Sequence, residues 1–342
     1  MMQRALVTCE FLISPGICEA TDVEDQILNV VELSSSLQDM AAPPILEDET
    51  LERLIDMQAY PTEKFFRQRI GADATPHSAR DIARIVNSII QRAETLETTS
   101  PSRVLTWKSL TISPKLESRA PERAKDLTAL LGRMALCQER LELNLDLLHP
   151  KNAASSRATD IYDIDGIIDD CLQDDGPPPC GTVKAKVRAF YLFKRHLSHL
   201  DYKSCFDNSK NEGQIKFSIY CGTLAKLRER GLPLEGVSLD SIRIGTDFVN
   251  SLMRHQAGPL MNFAGALIDV ITDLLSGSPK YEVSAFHQSD LKTQKMHGKM
   301  AAYRTHITKS GAALRLMLWK DECGEITLAN VGPKQELFIA HP

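Results

Sequence analysis

Three stretches decide the reading: KTQKMHGKMAAYRTHITKSG at residues 292–311, AALRLMLW at 312–319 and EITLANVGPKQELFI at 325–339. Their alternating or apolar runs are punctuated by turn signals at Ser310-Gly311, Asp321 to Gly324 and Gly332-Pro333, which predicts consecutive antiparallel strands. Between Lys280 and Lys320 there are eight Lys/Arg against Glu282 and Asp290 alone, although the 342-residue chain has a formal net charge of -5. A cationic surface on an acidic protein points to a polyanionic partner, with nucleic acid first.

Upstream, Ser241 to Gly245 reads as a short strand, and Asp247 to Leu252 and Pro259 to Leu275 read as helices, the second stopped by Gly277 and Pro279. The order strand, helix, helix, three strands fills about a hundred residues, a domain-sized unit.

This order, with Phe248-x-x-x-Leu252, the His297-Gly298 step before Tyr303-Arg304, Leu314-Arg315-Leu316-x-Leu318 and Val331-Gly332-x-Lys334, resembles the RelE/ParE superfamily of bacterial type II toxins over roughly residues 237–339. The resemblance implies an α+β fold whose toxin-like part is a β-α-α-β-β-β antiparallel sheet. It also implies metal-independent cleavage of mRNA at the ribosome, in which the 2'-OH attacks the neighbouring phosphate. Such chemistry needs a base near the 2'-OH, cations on the phosphate and an acid for the 5' leaving oxygen.

Carried over residue by residue, Arg304 and His306 match two basic residues on alternate positions of a strand, which share a face. His306 is the expected proton shuttle, because imidazole titrates near neutrality without help. Arg315 would grip the scissile phosphate with its forked guanidinium, and Lys334 would add charge. Lys295, Lys299, Lys309 and Phe338 complete the expected RNA-binding set. The superfamily's C-terminal tyrosine is absent; Phe338, the nearest aromatic residue, can stack on a base but cannot move a proton. The superfamily also contains ParE-like gyrase inhibitors and members that only bind, and both stand as alternatives.

The same residues admit plainer readings. Arg304 and His306 could be the solvated face of a strand, and Arg315 could pair with Glu325 or Glu336 across the sheet. Trp319 reads as sheet cover rather than a stacking platform.

Composition bounds the rest. With 43% hydrophobic and 25% charged residues the chain is of the soluble globular class and long enough for two domains or more. Its eight cysteines form no Cys-x-x-Cys pair, which argues against a zinc site or a disulfide framework and for reduced thiols in the cytoplasm. The apolar run at the N-terminus is broken by Glu10 and Pro15, too short and polar for a signal or a membrane span. Phosphate-loop, nucleophile-elbow and His-Glu-x-x-His motifs are missing, so neither cofactor nor metal is expected.

Residues 1–150 read as mainly helical with a few strands. The expected elements are a strand at Ala5 to Ile13, helices at Asp22 to Leu37 and Glu47 to Met57, and a helix beginning at Ser78 with Asp81 in capping-box position and an Ile82, Ile85, Val86, Ile89, Ile90 stripe. A strand at Arg103 to Ser113 and a long helix from Pro121 to His149 follow. Residues 151–181 read as an acidic Pro/Gly linker. Asp163-x-Asp165-Gly166 suggests a calcium loop, but Ile161 and Leu172 occupy the terminal ligand positions and exclude it. These carboxylates could instead fold onto Arg304 and Arg315 and mask them. Residues 182–235 read as a basic helical connector, with helices at Val183 to Tyr202 and Thr223 to Gly231 around a strand at Gln214 to Cys221, and 236–342 as the toxin-like domain. The whole suggests a toxin module regulated, addressed or dimerised by its N-terminal region, as in host defence. The expected partners are RNA or the ribosome, an antitoxin or other protein, or a second copy, without a membrane.

Overall fold

The computed structural model describes residues 3–70, 77–99, 102–116, 121–151, 159–173, 181–288, 292–309 and 313–342. The chain folds into two compact units, residues 1–38 with 42–196, and residues 39–41 with 197–342. Both mix helices and strands, so the molecule is α+β. No helix among the described residues is long and apolar enough to cross a membrane.

In the first unit β1 (Arg4–Val7) leads through α1 (Cys9–Leu12), α2 (Ser14–Ile17) and α3 (Val23–Ser36) to β2 (Ile45–Leu46). Next come α4 (Thr50–Asp56), α5 (Glu63–Ile70), α6 (Ala79–Arg92), α7 (Leu96–Thr99), β3 (Ser102–Ser113), α8 (Ala124–Arg140), β4 (Leu145–Leu148), β5 (Thr159–Gln173), β6 (Gly181–Phe190) and α9 (Phe193–Leu197). The six strands form one sheet in the order β2-β1-β4-β6-β5-β3, parallel from β2 to β6 and antiparallel beyond. Leu127, Leu131 and Met134 of α8 are buried against Tyr162, Ile164, Val183 and Val187 of the sheet. The Ser78 hydroxyl accepts from the Asp81 N–H at 3.1 Å, the expected cap of α6, a contact worth about 1 kcal/mol.

Several expectations for this unit are corrected. The helices of residues 1–150 accompany four strands, β1 to β4, which do not form a sheet of their own but share one six-stranded sheet with β5 and β6 from beyond that range. The first strand stops at Val7, where the Thr8 hydroxyl accepts from the Phe11 N–H and starts α1 instead. The long helix ends at Arg140, and Leu145–Leu148 is a strand, because it pairs in parallel with β1 at the centre of the sheet. The acidic linker is largely β5: buried Tyr162, Ile164 and Ile168 alternate with exposed Asp163, Asp165 and Ile167, and the acids pair across the ladder with Lys186 and Lys184 at 3.1 and 3.0 Å. Residues 152–158 and 174–180, which hold the ends of that expected linker, lie outside the described residues. The basic helix at Val183 to Tyr202 is instead β6 followed by the short α9.

The second unit opens with α10 (Tyr202–Asp207) and α11 (Glu212–Glu229). The strand expected at Gln214 to Cys221 lies inside α11, where both faces are buried and the apolar residues lose the periodicity that would mark a helix. The connector therefore does not exist as a separate segment. There follow β7 (Arg243–Ile244), α12 (Phe248–Arg254), α13 (Ala264–Leu275), β8 (Ser284–Ala285), β9 (Met296–His297), β10 (Met300–His306), β11 (Arg315–Lys320) and β12 (Ile326–Gly332). The sheet runs β7-β12-β11-β10-β8, with β9 paired to β10.

The three expected strands are β10, β11 and β12, antiparallel in sequence. Two details depart from the sequence reading. β7 joins β12 in parallel, so the sheet is mixed, and β8 and β9 add short edges. A two-residue turn joins β9 to β10, with His297 paired to Met300 and Gly298 at φ +59°, a conformation that the missing Cβ makes accessible. The turn signal at Ser310-Gly311 falls outside the described residues. Beyond the two residues of β7, the Val331 N–H on β12 finds its acceptor in the Ser251 hydroxyl of α12 at 2.9 Å.

Candidate functional site

Register decides which side chains share a face of this sheet. Ala302 pairs with Trp319, Arg304 with Met317 and His306 with Arg315 across β10 and β11. Strand neighbours alternate, so Arg304, His306, Arg315, Met317 and Trp319 lie on one face. Leu316, Leu318 and Val331 lie on the other, all of them buried. Phe286, Ala302, Met317, Trp319 and Ala329 form a small buried cluster on the cationic face.

The C-terminal tail covers part of that face. The Trp319 Nε1–H donates to the Ala340 carbonyl at 2.7 Å, and the Ala340 N–H donates to Asn330 Oδ1 at 2.9 Å. Trp319 is thereby only 3% exposed, sheet cover as expected.

Past the tail lie three of the four expected catalytic residues, Arg304, His306 and Arg315. Arg304 and Arg315 have no carboxylate within ion-pair distance among the described residues. Glu325, one expected partner of Arg315, is taken by Arg243, and Glu336 accepts from the Phe338 N–H. The Arg315 Nε and the His306 Nδ1 are buried and have no hydrogen-bond partner among the described residues. Burial first, and then repulsion from Arg315, lowers the pKa of Arg304 below its ordinary value. An unmet buried polar group costs about 1–3 kcal/mol, which an incoming anionic acceptor would remove. Two half-buried guanidiniums without counterions therefore form an anion-seeking site.

Aromatic rings frame it. The Arg304 guanidinium carbon lies 5.2 Å from the Phe286 ring centre and the Lys295 Nζ lies 4.7 Å from it. The Tyr281 ring meets His306 edge-on at 6.3 Å, with the Lys309 Nζ 4.9 Å and the Lys280 Nζ 5.6 Å from its centre. Lys309 and Lys295 thus stand near His306 and Arg304 respectively. Lys334 is exposed in the turn after β12, and Lys299 is exposed and pairs with Glu322 at 3.5 Å. Phe338, 55% exposed, lies in the tail. Sequence reading missed Tyr281 and Phe286, because the two-residue β8 is too short to show a period, and only its pairing with β10 carries them to the site.

No protein-family model, curated protein or solved structure matches this chain. Its chemistry is therefore read from its own geometry.

A second polar cluster lies in the first unit, beyond the ends of β1 and β2. Arg123 donates to Glu10 through Nε and Nη2 at 3.1 Å each, and through Nη2 to the Glu47 oxygens at 2.9 and 2.8 Å. The Cys9 N–H donates to Glu47 at 2.6 Å, and its thiol to Glu10 at 3.2 Å. All four side chains are buried. Burial raises the Glu10 pKa, but the Arg123 hydrogen bonds and the charges of His149 and Arg123 outweigh it, leaving about 2. Burial, followed by the neighbouring Glu47 and Glu10, pushes the Cys9 thiol well above its ordinary value. Ligand atoms of Cys9, Glu10 and Glu47 lie within 4.8 Å of one another, close enough to hold a small cation. Arg123 is already bound to both carboxylates and the thiol stays protonated, so the cluster is an ion-paired core holding the sheet ends together.

Proposed function

We propose that the second unit is an RNA-directed module that grips a phosphodiester on the β10–β11 face and cleaves it without a metal. The observation that carries this is the pair Arg304 and Arg315, which have no carboxylate within ion-pair distance among the described residues and lie on the face that also presents His306. Arg304 and Arg315 hold the phosphate and offset the charge that grows on its oxygens in the transition state. His306 takes the proton of the 2'-OH, the 2'-oxygen attacks phosphorus, and the bond to the 5'-oxygen breaks to leave a 2',3'-cyclic phosphate. The Tyr281 phenol, beside His306, protonates the leaving 5'-oxygen in place of the C-terminal tyrosine of the toxins that this unit resembles. The first unit regulates or addresses this activity, in the manner of a host-defence protein.

Expression of wild type and Arg315→Ala in bacteria tests the reading. Growth arrest with mRNA cleavage that the substitution abolishes supports it. Unchanged growth with retained RNA binding favours the second reading, a non-catalytic binder, to which Phe338 in place of a C-terminal phenol lends weight.

A further inference from the structure

Along the same sheet face, beyond Trp319, an open pocket of about 500 Å³ is lined by Lys295, Met296, His297, Trp319, Phe338 and His341, among others. That volume lies within the roughly 300–1,000 Å³ range of small-ligand sites. Met296, Leu337 and Phe338 are 56, 52 and 55% exposed at its rim, an apolar gathering that the fold leaves uncovered. His297 packs against the buried Trp319 at 5.8 Å and meets His341 edge-on at 5.2 Å, so the flat rings open to the pocket are those of His297, His341 and Phe338. The Gln288 side chain lines the pocket and makes no hydrogen bond among the described residues, which leaves an amide free to read a polar edge.

We propose that this pocket binds one nucleobase of a single-stranded RNA whose phosphate is held by Arg304 and Arg315. The inference rests on the phosphodiester reading of that face and adds to it the class of substrate: a single strand with an unpaired base. Flat rings with a cation at the rim are what base stacking beside a phosphate backbone requires. Charge complementarity favours this occupant over an apolar peptide, because Lys295 lines the pocket and Arg304 and Arg315, without a carboxylate partner among the described residues, lie on the same face. Trp319 lies four strand residues from Arg315, about 13 Å. The pocketed base therefore belongs to a neighbouring nucleotide and not to the one being cut. Duplex RNA is excluded, since its bases are stacked and paired.

The test uses the full chain and two fluorescent probes, a short single-stranded RNA with 2'-O-methyl riboses, which cannot undergo 2'-OH attack, and its abasic counterpart. Anisotropy with wild type is expected to show tighter binding of the probe that carries bases. Phe338→Ala and His297→Ala are expected to weaken that probe roughly 5- to 150-fold and to leave the abasic probe unchanged, which also shows that the variants are folded. Wild type that fails to distinguish the probes overturns the proposal, and so do variants that keep full affinity for the base-carrying one. Arg315→Ala separates the two ideas. If it weakens both probes while Phe338→Ala weakens neither, the pocket falls and the phosphate face stands; the converse removes the phosphate face and with it the placing of base against phosphate.

Discussion

His306 and Arg315 stand directly opposite each other on neighbouring antiparallel strands, and each keeps a buried nitrogen without a partner among the described residues. In a protein that carries more acids than bases, that is where a compensating carboxylate would be expected. None of the described residues supplies one.

Removing Arg315 should accordingly cost function and not stability. Arg315→Ala deletes no ion pair and relieves Arg304 of a like-charged neighbour, so its unfolding free energy should stay within about 1 kcal/mol of wild type. RNA cleavage should fall about a hundredfold or more, as when one transition-state donor is lost. A loss of several kcal/mol in chemical denaturation would mean that Arg315 has a structural partner instead.

His306→Gln keeps a polar side chain on the strand but cannot carry a proton. RNA affinity should persist while cleavage drops about 10²- to 10⁴-fold. Affinity and cleavage falling together would place His306 in binding and not in proton transfer.

Trp319→Phe keeps most of the ring but removes the indole N–H that meets the Ala340 carbonyl. A cost of about 1–3 kcal/mol is expected, together with earlier proteolytic release of the tail, because that carbonyl is left buried and unmet. Mass spectrometry of limited digests would show whether the cut falls within residues 333–342.

Arg123→Met leaves Glu10 and Glu47 buried without their cation and should destabilise the first unit by about 3–5 kcal/mol. Combining it with Glu10→Gln and Glu47→Gln should restore much of that loss, since no charge then remains uncompensated. A double-mutant cycle on unfolding free energies would show a large coupling; additive effects would contradict the ion-paired core.

The same cluster sets an acid limit. Glu10 falls from its ordinary 4.5 to about 2 in the folded protein, so its contribution is fully present above about pH 4.5 and is lost as pH falls toward 2. The depression corresponds to about 3 kcal/mol. Glu10→Gln should flatten stability over that pH window; an unchanged slope would place the acid sensitivity elsewhere.

Local signals served well where turn residues or a cap bound an element. β10, β11 and β12 were legible because short alternating or apolar runs lie between turn signals, and α6 because Ser78 and its stripe agree. They failed where neighbours distant in sequence set the outcome. The acids of β5 looked like a linker because Lys184 and Lys186, which neutralise Asp165 and Asp163, arrive from the next strand. Inside α11 every face is buried, so the period vanished. The residues of β4 read as a helix because a short apolar run fits either state until β1 lies beside it.

What the sequence determined by itself is that Arg304 and His306 share one side of a strand, because side chains alternate at a fixed period whatever surrounds them. Tertiary structure alone decided which cations remain without partners. Glu325 could have met Arg315 across the sheet, but Arg243 on β7 captures it. The returning tail then fixes Trp319 and frames the pocket beside it. Periodicity is local and survives in the sequence; pairing of charges depends on which distant segments the core brings together.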